Sequence, residues 1–419
     1  MVSVHRVKSN ESFTHVLEQL LKNLGLTAAL RSRMHMKESR FEAALRLING
    51  ISRFPNSLNY LILPRLHQCK KPKTLESVVG ELGLSAAEAQ SLKELNHPRT
   101  IFSSEELIIA PPNVKLELKD QEIIVSYQVK RNCYLWDIAI EELGNPILDK
   151  QIAKINNISN WENRISKGAT LKLPLPDQYK PEEKDVEHWN EISSKLDSFL
   201  SISPELSSIE NAKQAYIKIL SLDWLEGYRS CMYKDHRQIL TIGIGTNIHS
   251  FDSFEKKGVR ANMYLCDHRR DSGGNCWNND HTIRPDSTMV RELYNRALSE
   301  FPVKCQKIIL QYVDAENIAK NHLDKECTPA IKSEFEDYAT YPTEALVALY
   351  DLMYKLGSKK FTQGFPKCCQ VIKDRDWRKA ALESHLAEKQ PGESQPAGGV
   401  RRRNILVYQL FVRGFNKKS

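Results

Sequence analysis

The chain has 419 residues, beyond the roughly 250 to 300 at which single cores stop growing, so two or more domains are expected. Hydrophobic residues make up 41% and charged residues 27%, and no apolar run approaches the roughly 18 to 20 residues that cross a bilayer; a globular chain is expected and a membrane-spanning one excluded. The formal net charge of +8 falls well short of a nucleic-acid-binding arm; it suits an anionic polymer such as a bacterial wall or a nucleic acid, and on its own predicts chiefly solubility.

The start, MVSVHRVKSNESF, has no apolar stretch of the secretory kind, so synthesis in the cytoplasm without a signal peptide is expected. Of nine cysteines, seven follow residue 230, and the odd total leaves at least one thiol unpaired if the rest form disulfides. Two readings stay open: reduced thiols in a cytosolic protein, or thiols that oxidise after export by another route.

In chain order, residues 73–112 read as helix, Gly-Leu turn, helix, Asn96 and a closing strand that ends in Pro. The segment SVHRVKSNESFTHVLEQLLKNLGL repeats the opening strand and helix, and AALRSRMHMKESRFEAALRLINGI after it reads as helical. Residues 125–176 spell the same logic more clearly. A short strand, Ser126 to Lys130, leads to an apolar-periodic segment, Leu135 to Leu143. A second helix follows around Leu148 to Ile155, then the Asn156-Asn157 turn, then KGATLKLP as a Gly turn and closing strand. Repetition of one small unit predicts a binding array.

The 125–176 segment closely resembles a LysM domain. The matching residues are Tyr127-Gln128-Val129, Leu135-Trp136-Asp137-Ile138-Ala139, Asn156-Asn157 and Gly168 to Pro174. The resemblance implies a βααβ module over 124–176 and a glycan groove lined by Asn132, Tyr134, Asn156 and Asn157. The family's usual Gly-Asp-Thr-like turn is replaced here by Asn132-Cys133-Tyr134. By the same likeness, residues 1–112 read as one or two degenerate repeats; an unrelated helical domain is the competing reading.

The Pro- and charge-rich stretch at 177–190 reads as a linker, and 191–419 as a mainly helical domain. Its helices are expected in IENAKQAYIKILSLDWLEG, STMVRELYNRALSEF, DAENIAKNHLDKE, TEALVALYDLMYKLG, FPKCCQVIKDRDWRKAALESHLAE and RRRNILVYQLFVRGF. Strand signal in this half is confined to about 231–248, and KQPGESQPAGG breaks the last two helices. The fold class expected is therefore α+β: a mainly helical domain with a small β-hairpin, preceded by βααβ modules.

The chemistry concentrates in EGYRSCMYKDHRQILTIGIG. Apolar positions from Tyr216 to Leu225 predict a helix ending near Glu226-Gly227, with Gly as cap. There the helix dipole and burial would raise the Glu226 pKa, as a general acid requires. SCMYKD and ILTIGIG flank the turn Asp235-His236-Arg237-Gln238 in hairpin grammar, which leaves Asp235 exposed and ionised. Two carboxylates in opposed environments suit hydrolysis of a sugar acetal, with the Thr241 hydroxyl holding the water.

Glu226, Asp235 and Thr241, nine and six positions apart, together with Tyr233-Lys234-Asp235 and Thr241 to Gly245, resemble the phage T4-type lysozyme family. The likeness continues in DAENIAKNHLD, ALVALYDLMYKLGSKKFTQGF, DRDWRKAAL and the Arg401-Arg402-Arg403 helix, and covers roughly 205–415. It implies a muramidase that cleaves the β-1,4 bond between N-acetylmuramic acid and N-acetylglucosamine with inversion. Glu226 would be the general acid, Asp235 would activate water and stabilise charge, and Thr241 would position the water. Tyr233, Gly243, Asp351, Lys355 and Arg402 would meet substrate. Asp351 and Lys355 stand where the family has Asn and Gln facing the cleft, and 247–313 is longer than in short phage enzymes.

No cofactor or catalytic metal is implied. In CDHRRDSGGNCWNNDH, a zinc site on Cys266, His268, Cys276 and His281, a Cys266–Cys276 disulfide and free thiols all stay open. Arg269, Arg270 and Arg284 could meet the anionic groups of the wall. Cys368-Cys369 read as core. Two alternatives remain: an inactive lysozyme-like wall-binding protein, and a lytic transglycosylase. The expected partners are peptidoglycan glycan strands and, for a delivered antibacterial effector or phage lysin, a cognate inhibitor protein or a secretion or tail apparatus. No nucleic acid or membrane partner is expected. A monomer acting in the periplasm or cell wall after non-classical export is.

Overall fold

The computed structural model describes residues 4–6, 48, 60–62, 65–68, 73–82, 84, 86–96, 101–102, 107–110, 113–119, 122–200, 206–222, 228–234, 240–244, 246–248, 263–265, 288, 291–292, 294–295, 308–310, 312–387 and 398–417. Over these residues the chain is mainly helical with small antiparallel sheets, an α+β architecture. It divides into two units, 1–188 with 389–396 and 419, and 189–388 with 397–418.

The first unit opens with β1 (Val4–Arg6), β2 (Tyr60–Ile62), β3 (Arg65–Gln68) and β4 (Lys73–Thr74). Next come α1 (Leu75–Leu82), α2 (Ala86–Asn96), β5 (Ile101–Phe102), β6 (Leu107–Ala110), β7 (Val114–Lys119) and β8 (Glu122–Gln128). The last elements are α3 (Leu135–Ile138), α4 (Asp149–Ile155) and β9 (Thr170–Leu173). The 122–173 stretch runs strand, helix, helix, strand. In β8, Val125 and Tyr127 are buried while Gln128 is exposed; in β9, Leu171 and Leu173 are buried while Thr170 and Lys172 are exposed. That period of two turns one face of the sheet inward. The register sets Val125 opposite Leu173 and Tyr127 opposite Leu171, so the buried side chains meet as cross-strand pairs. Leu135, Ile138, Leu148 and Ile152 cover them from the helices.

The chain signals its own turns. Asp137 Oδ2 accepts from the Tyr134 backbone N–H at 2.9 Å, which caps α3. A π-helical turn, Ala139–Leu143, then ends at Gly144, whose φ of 72° favours glycine. Asn145 Oδ1 accepts from Ile147 N at 3.2 Å to start the next turn.

The 65–110 stretch repeats this module in register. β3 pairs with β6 through Arg65↔Ala110, and β8 with β9 through Val125↔Leu173. The opening strands are thus displaced by about 60 residues and the closing strands by about 63. The same displacements relate the inner pair Lys73↔Phe102 to the bridge Cys133↔Ile165. Leu75 and Leu135, each buried, begin the first helix, and Asn96 and Asn156 close the second. Each Asn donates to the carbonyl four residues back, Leu92 O at 2.7 Å and Ile152 O at 2.8 Å.

A third sheet has the same outline. β1 pairs with β2 through Val4↔Ile62, and β2 lies just ahead of Pro64, as β6 precedes Pro111 and β9 precedes Pro174. Pro has no N–H to extend a ladder, so it is a natural stop. The closing strand at 60–62 lies within the 1–112 stretch from which one or two repeats were expected.

The stretch expected as linker, 177–190, is helical from Glu183 onward, in α5 (Glu183–Phe199). The second unit contains α6 (Ser208–Leu220), β10 (Tyr228–Lys234), β11 (Leu240–Ile244), β12 (Thr246–Ile248), β13 (Met263–Leu265), β14 (Ile308–Leu310), α7 (Tyr312–His322) and α8 (Thr328–Glu334). It continues through α9 (Thr343–Leu356), α10 (Ser358–Gly364), α11 (Pro366–Lys373), α12 (Trp377–Glu383) and α13 (Gly398–Lys417). Every residue of α9 from Thr343 to Met353 is buried, as expected of a helix apolar on nearly all sides. It packs against α6 and α13. Trp377, also buried, lies edge-on to Tyr341 at 4.9 Å and stacks on Phe411 at 6.2 Å.

Two expectations are corrected here. Strand structure in this half is not confined to 231–248, because β13 pairs with β14 across a long separation in sequence. Three-residue strands whose partner is that distant leave no local period to read. The helix expected to reach Glu226-Gly227 ends at Leu220. Ser221 caps it: its N–H bonds to Ile217 O, and its hydroxyl donates to Lys218 O at 2.8 Å. A serine hydroxyl that bonds backbone competes with helix propagation, although apolar residues continue beyond it.

Candidate functional site

Glu226 and Asp235 lie outside the described residues, as do His236 to Gln238, Arg269, Arg270, Arg284 and the Cys266 to His281 loop. The strands nearest to Glu226 and Asp235 in sequence are described. Glu226 stands two residues before β10, Asp235 directly follows it, and Thr241 is the second residue of β11. α6 stops at Leu220, ahead of Glu226 in sequence.

β10 and β11 are antiparallel, with Tyr228↔Ile244, Arg229↔Gly243, Tyr233↔Thr241 and Lys234↔Leu240. The register shifts between Arg229 and Tyr233, and β12 completes the sheet through Thr241↔Asn247. An unbent strand from Tyr228 to Lys234 would span about 20 Å. That exceeds the roughly 6.5 to 9.5 Å between the carboxyl groups of an inverting glycosidase. The ladder is interrupted between the two carboxylate positions in sequence, where four residues of β10 run against two of β11. Ile242 and Ile244 are fully buried and anchor β11.

Behind the sheet, Tyr354 of α9 donates its hydroxyl to Ile244 O at 3.1 Å. Its ring lies edge-on to His322 at 5.2 Å and to Tyr216 at 5.9 Å. Tyr216 stacks on Tyr350 at 6.2 Å, and the Tyr350 hydroxyl shares a 3.0 Å hydrogen bond with Thr328. Burial pushes the Tyr350 phenol up to about 12. One turn from Tyr354, Asp351 accepts a 3.2 Å hydrogen bond from Tyr216 Oη at Oδ1, and its Oδ2 lies 3.3 Å from Arg403 Nε.

Of the residues expected to meet substrate, Asp351 is corrected. Its side chain is 0% exposed, locked to α6 and α13, and it faces the interior of the unit. Lys355 is exposed and Arg402 half-buried. Tyr233 and Gly243 take their places in the hairpin ladder; their side-chain surroundings, like that of Thr241, lie outside the described residues. Tyr216, Tyr354 and Arg403 were not singled out by the sequence reading. Their signal was an aspartate, Asp351, amid the apolar run of one helix and the Arg401-Arg402-Arg403 run at the start of another.

In the βααβ module, Asn132 Oδ1 accepts from Lys167 N at 2.8 Å. Tyr134 sits at the helix cap, with the Arg164 guanidinium 5.3 Å from its ring centre. Asn157 is exposed, with a left-handed φ of 54°. Asn156 is a clamp: its amide donates to Ile152 O and Lys172 O and accepts from Lys172 N, all at 2.8 Å. That use of both amide ends joins α4 to β9 and accounts for the residue without a ligand.

The described cysteines, Cys133, Cys327, Cys368 and Cys369, are free and buried. Burial pushes Cys133 and Cys327 up to about 12 and Cys369 to about 11, and raises Cys368 as well. Such thiols are poor nucleophiles and poor ligands. Among the described residues, no helix is long and apolar enough to cross a membrane. No protein-family model matches the chain, and a comparison with curated proteins finds no match.

Proposed function

We propose that the chain is a peptidoglycan hydrolase, a muramidase whose helical unit cuts the glycan while the βααβ modules hold it on the wall. The observation that carries this reading is the hairpin. The ordered set Glu226, Asp235 and Thr241 brackets β10 and enters β11, with Tyr233 opposite Thr241 and a register shift between the carboxylate positions. The hairpin is backed by a buried central helix through Tyr354. In the reaction, the Glu226 carboxylic acid protonates the leaving glycosidic oxygen. The Asp235 carboxylate stabilises the oxocarbenium-like charge and activates the water that Thr241 holds. The water attacks the opposite face of the sugar ring, which inverts the anomeric centre.

The recurrence of one module supports the binding role. Two or three modules on one chain raise the effective concentration of the hydrolytic unit at a polymeric surface. On this reading the protein acts as a monomer in the periplasm or wall, delivered as an antibacterial effector or a phage lysin. A cognate inhibitor would plug its cleft. The test is clearance of wall suspensions by the wild type and by Glu226→Gln. The proposal requires clearance by the first alone; equal clearance by a folded Glu226→Gln protein would remove Glu226 from the mechanism.

A further inference from the structure

β11 carries Thr241, and the ladder that holds β11 to β10 is interrupted. Tyr228↔Ile244 and Arg229↔Gly243 pair on one side of the register shift, Tyr233↔Thr241 and Lys234↔Leu240 on the other. The buried Ile242 and Ile244 hold β11 against the interior. Apolar contact is non-directional, however, and does not fix a strand along its own axis. A hydrogen bond is directional and does. The Tyr354 hydroxyl supplies one, donating to Ile244 O at 3.1 Å.

The phenol is itself held. Tyr354 stands on α9 directly after its buried run from Thr343 to Met353. Its ring lies edge-on to Tyr216 of α6 and to His322 of α7, at 5.9 and 5.2 Å. α7 is tied to α6 at both of its ends. At its start, the Tyr312 hydroxyl donates to Ser221 Oγ at 3.1 Å, where α6 stops. Past its end, Asp324 accepts from Lys213 Nζ of α6 at 2.7 Å. α7 also packs on β10 and β11. A ring bounded by two helices that are fastened to each other gives its hydroxyl a fixed direction. Four residues earlier on α9, Tyr350 makes a bond of similar length, 3.0 Å, to Thr328 of α8 instead of to the sheet.

We propose that Tyr354 is a positioning residue for the candidate reaction: through Ile244 its hydroxyl sets where β11 lies, and so where Thr241 holds the attacking water. The role rests on the hydrolase reading for its reaction, whereas the bracing of β11 is measured without substrate. Tyr354 acts through the strand, so its loss displaces the residue that holds the water and leaves glycan binding as it was. A small displacement of a positioned group slows the chemical step steeply.

The test compares Tyr354→Phe with Tyr350→Phe in the full chain. Each keeps its ring and loses one phenol hydroxyl from the same helix. With a soluble wall glycan as substrate, kcat should fall roughly tenfold in Tyr354→Phe with KM unchanged, and stay within about twofold of wild type in Tyr350→Phe. Hydrogen exchange, read without substrate, should quicken in β11 and β12 of Tyr354→Phe and not of Tyr350→Phe. Wild-type kcat in Tyr354→Phe would overturn the proposal. So would an equal fall in both variants, which marks a general loss of packing. A lower kcat with exchange in β11 unchanged would overturn it as well, because the effect would not run through the strand. A wild-type chain that leaves the glycan uncut would retire the hydrolase reading and this role with it, a result distinct from an active wild type whose Tyr354→Phe variant keeps full kcat.

Discussion

In the 122–173 module, polar side chains fasten turns and edges around an apolar cluster: Asn156 ties α4 to β9, Asn132 ties the opening turn to Lys167 N, and the buried carboxylates Asp137, Glu142 and Asp149 accept from Tyr134 N, Asn113 Nδ2 and Lys150 N. In the helical unit the charges sit at the centre. Asp351 and Arg403, 0% and 3% exposed, face each other between α9 and α13, with Tyr216 reaching in from α6. The difference teaches what each unit must hold still. An edge clamp fixes a turn and leaves the module's surface to be used. A buried ion pair adds little net stability over a packed apolar pair, but it fixes three helices relative to one another. One of those helices braces β11 through Tyr354.

The largest expected effect separates the units by function. Glu226→Gln should lower wall hydrolysis by a factor of about 100 or more, the usual worth of a positioned general acid, while pull-down by insoluble peptidoglycan stays unchanged. If both fall together, cutting and holding are not divided between the units as argued.

Next comes the central charge pair. Arg403→Met strands a buried carboxylate and should cost about 3 to 5 kcal/mol. Hydrogen exchange should show the lost protection in α6, α9 and α13. Asn156→Ala should cost about 1 to 3 kcal/mol, from backbone groups left without partners, with the lost protection confined to α4 and β9. Reversal of that order of cost would undo the contrast between edge and centre.

The smallest effect is shared by both units. Burial makes Cys133 in the first and Cys327 and Cys369 in the second keep their protons up to about pH 11 to 12, against 9.0 for an ordinary thiol. Above pH 9 the unfolded chain has released these protons and the native chain has not, so the stability they contribute is complete below pH 9 and is lost as pH rises towards 12. Thermal midpoints should therefore fall across that window. Native-state alkylation at pH 8, read by mass spectrometry, should leave these thiols unmodified.

Much of the frame was legible in the sequence. The opening strand, first helix, second helix, Asn156 turn and closing strand of the module followed from local periodicity and turn residues. So did α9 and α13, whose apolar stripes are long; the single helix expected in FPKCCQVIKDRDWRKAALESHLAE instead breaks at Arg375, whose φ of 55° is left-handed, into α11 and α12. What escaped was non-local. β13 and β14 are short and far apart in sequence. The end of α6 was decided by Ser221, not by the apolar residues that continue past it. The repeat at 65–110 showed as an echo of pattern, and only its ladder registers reveal that it shares the module's offsets residue by residue. The spacing of Glu226, Asp235 and Thr241 is local and can be read from the sequence, whereas the placement of the two carboxylates lies outside the described residues. The burial of Asp351 was not legible, because its partners Tyr216 and Arg403 lie far away along the chain.

The most direct test is a digest of purified peptidoglycan by the wild-type chain in ¹⁸O water, with the fragments read by mass spectrometry. A muramidase of this design releases fragments whose reducing N-acetylmuramic acid ends carry the label, and Glu226→Gln releases none. Unlabelled anhydro ends, or intact wall after incubation with the folded wild-type protein, would contradict it.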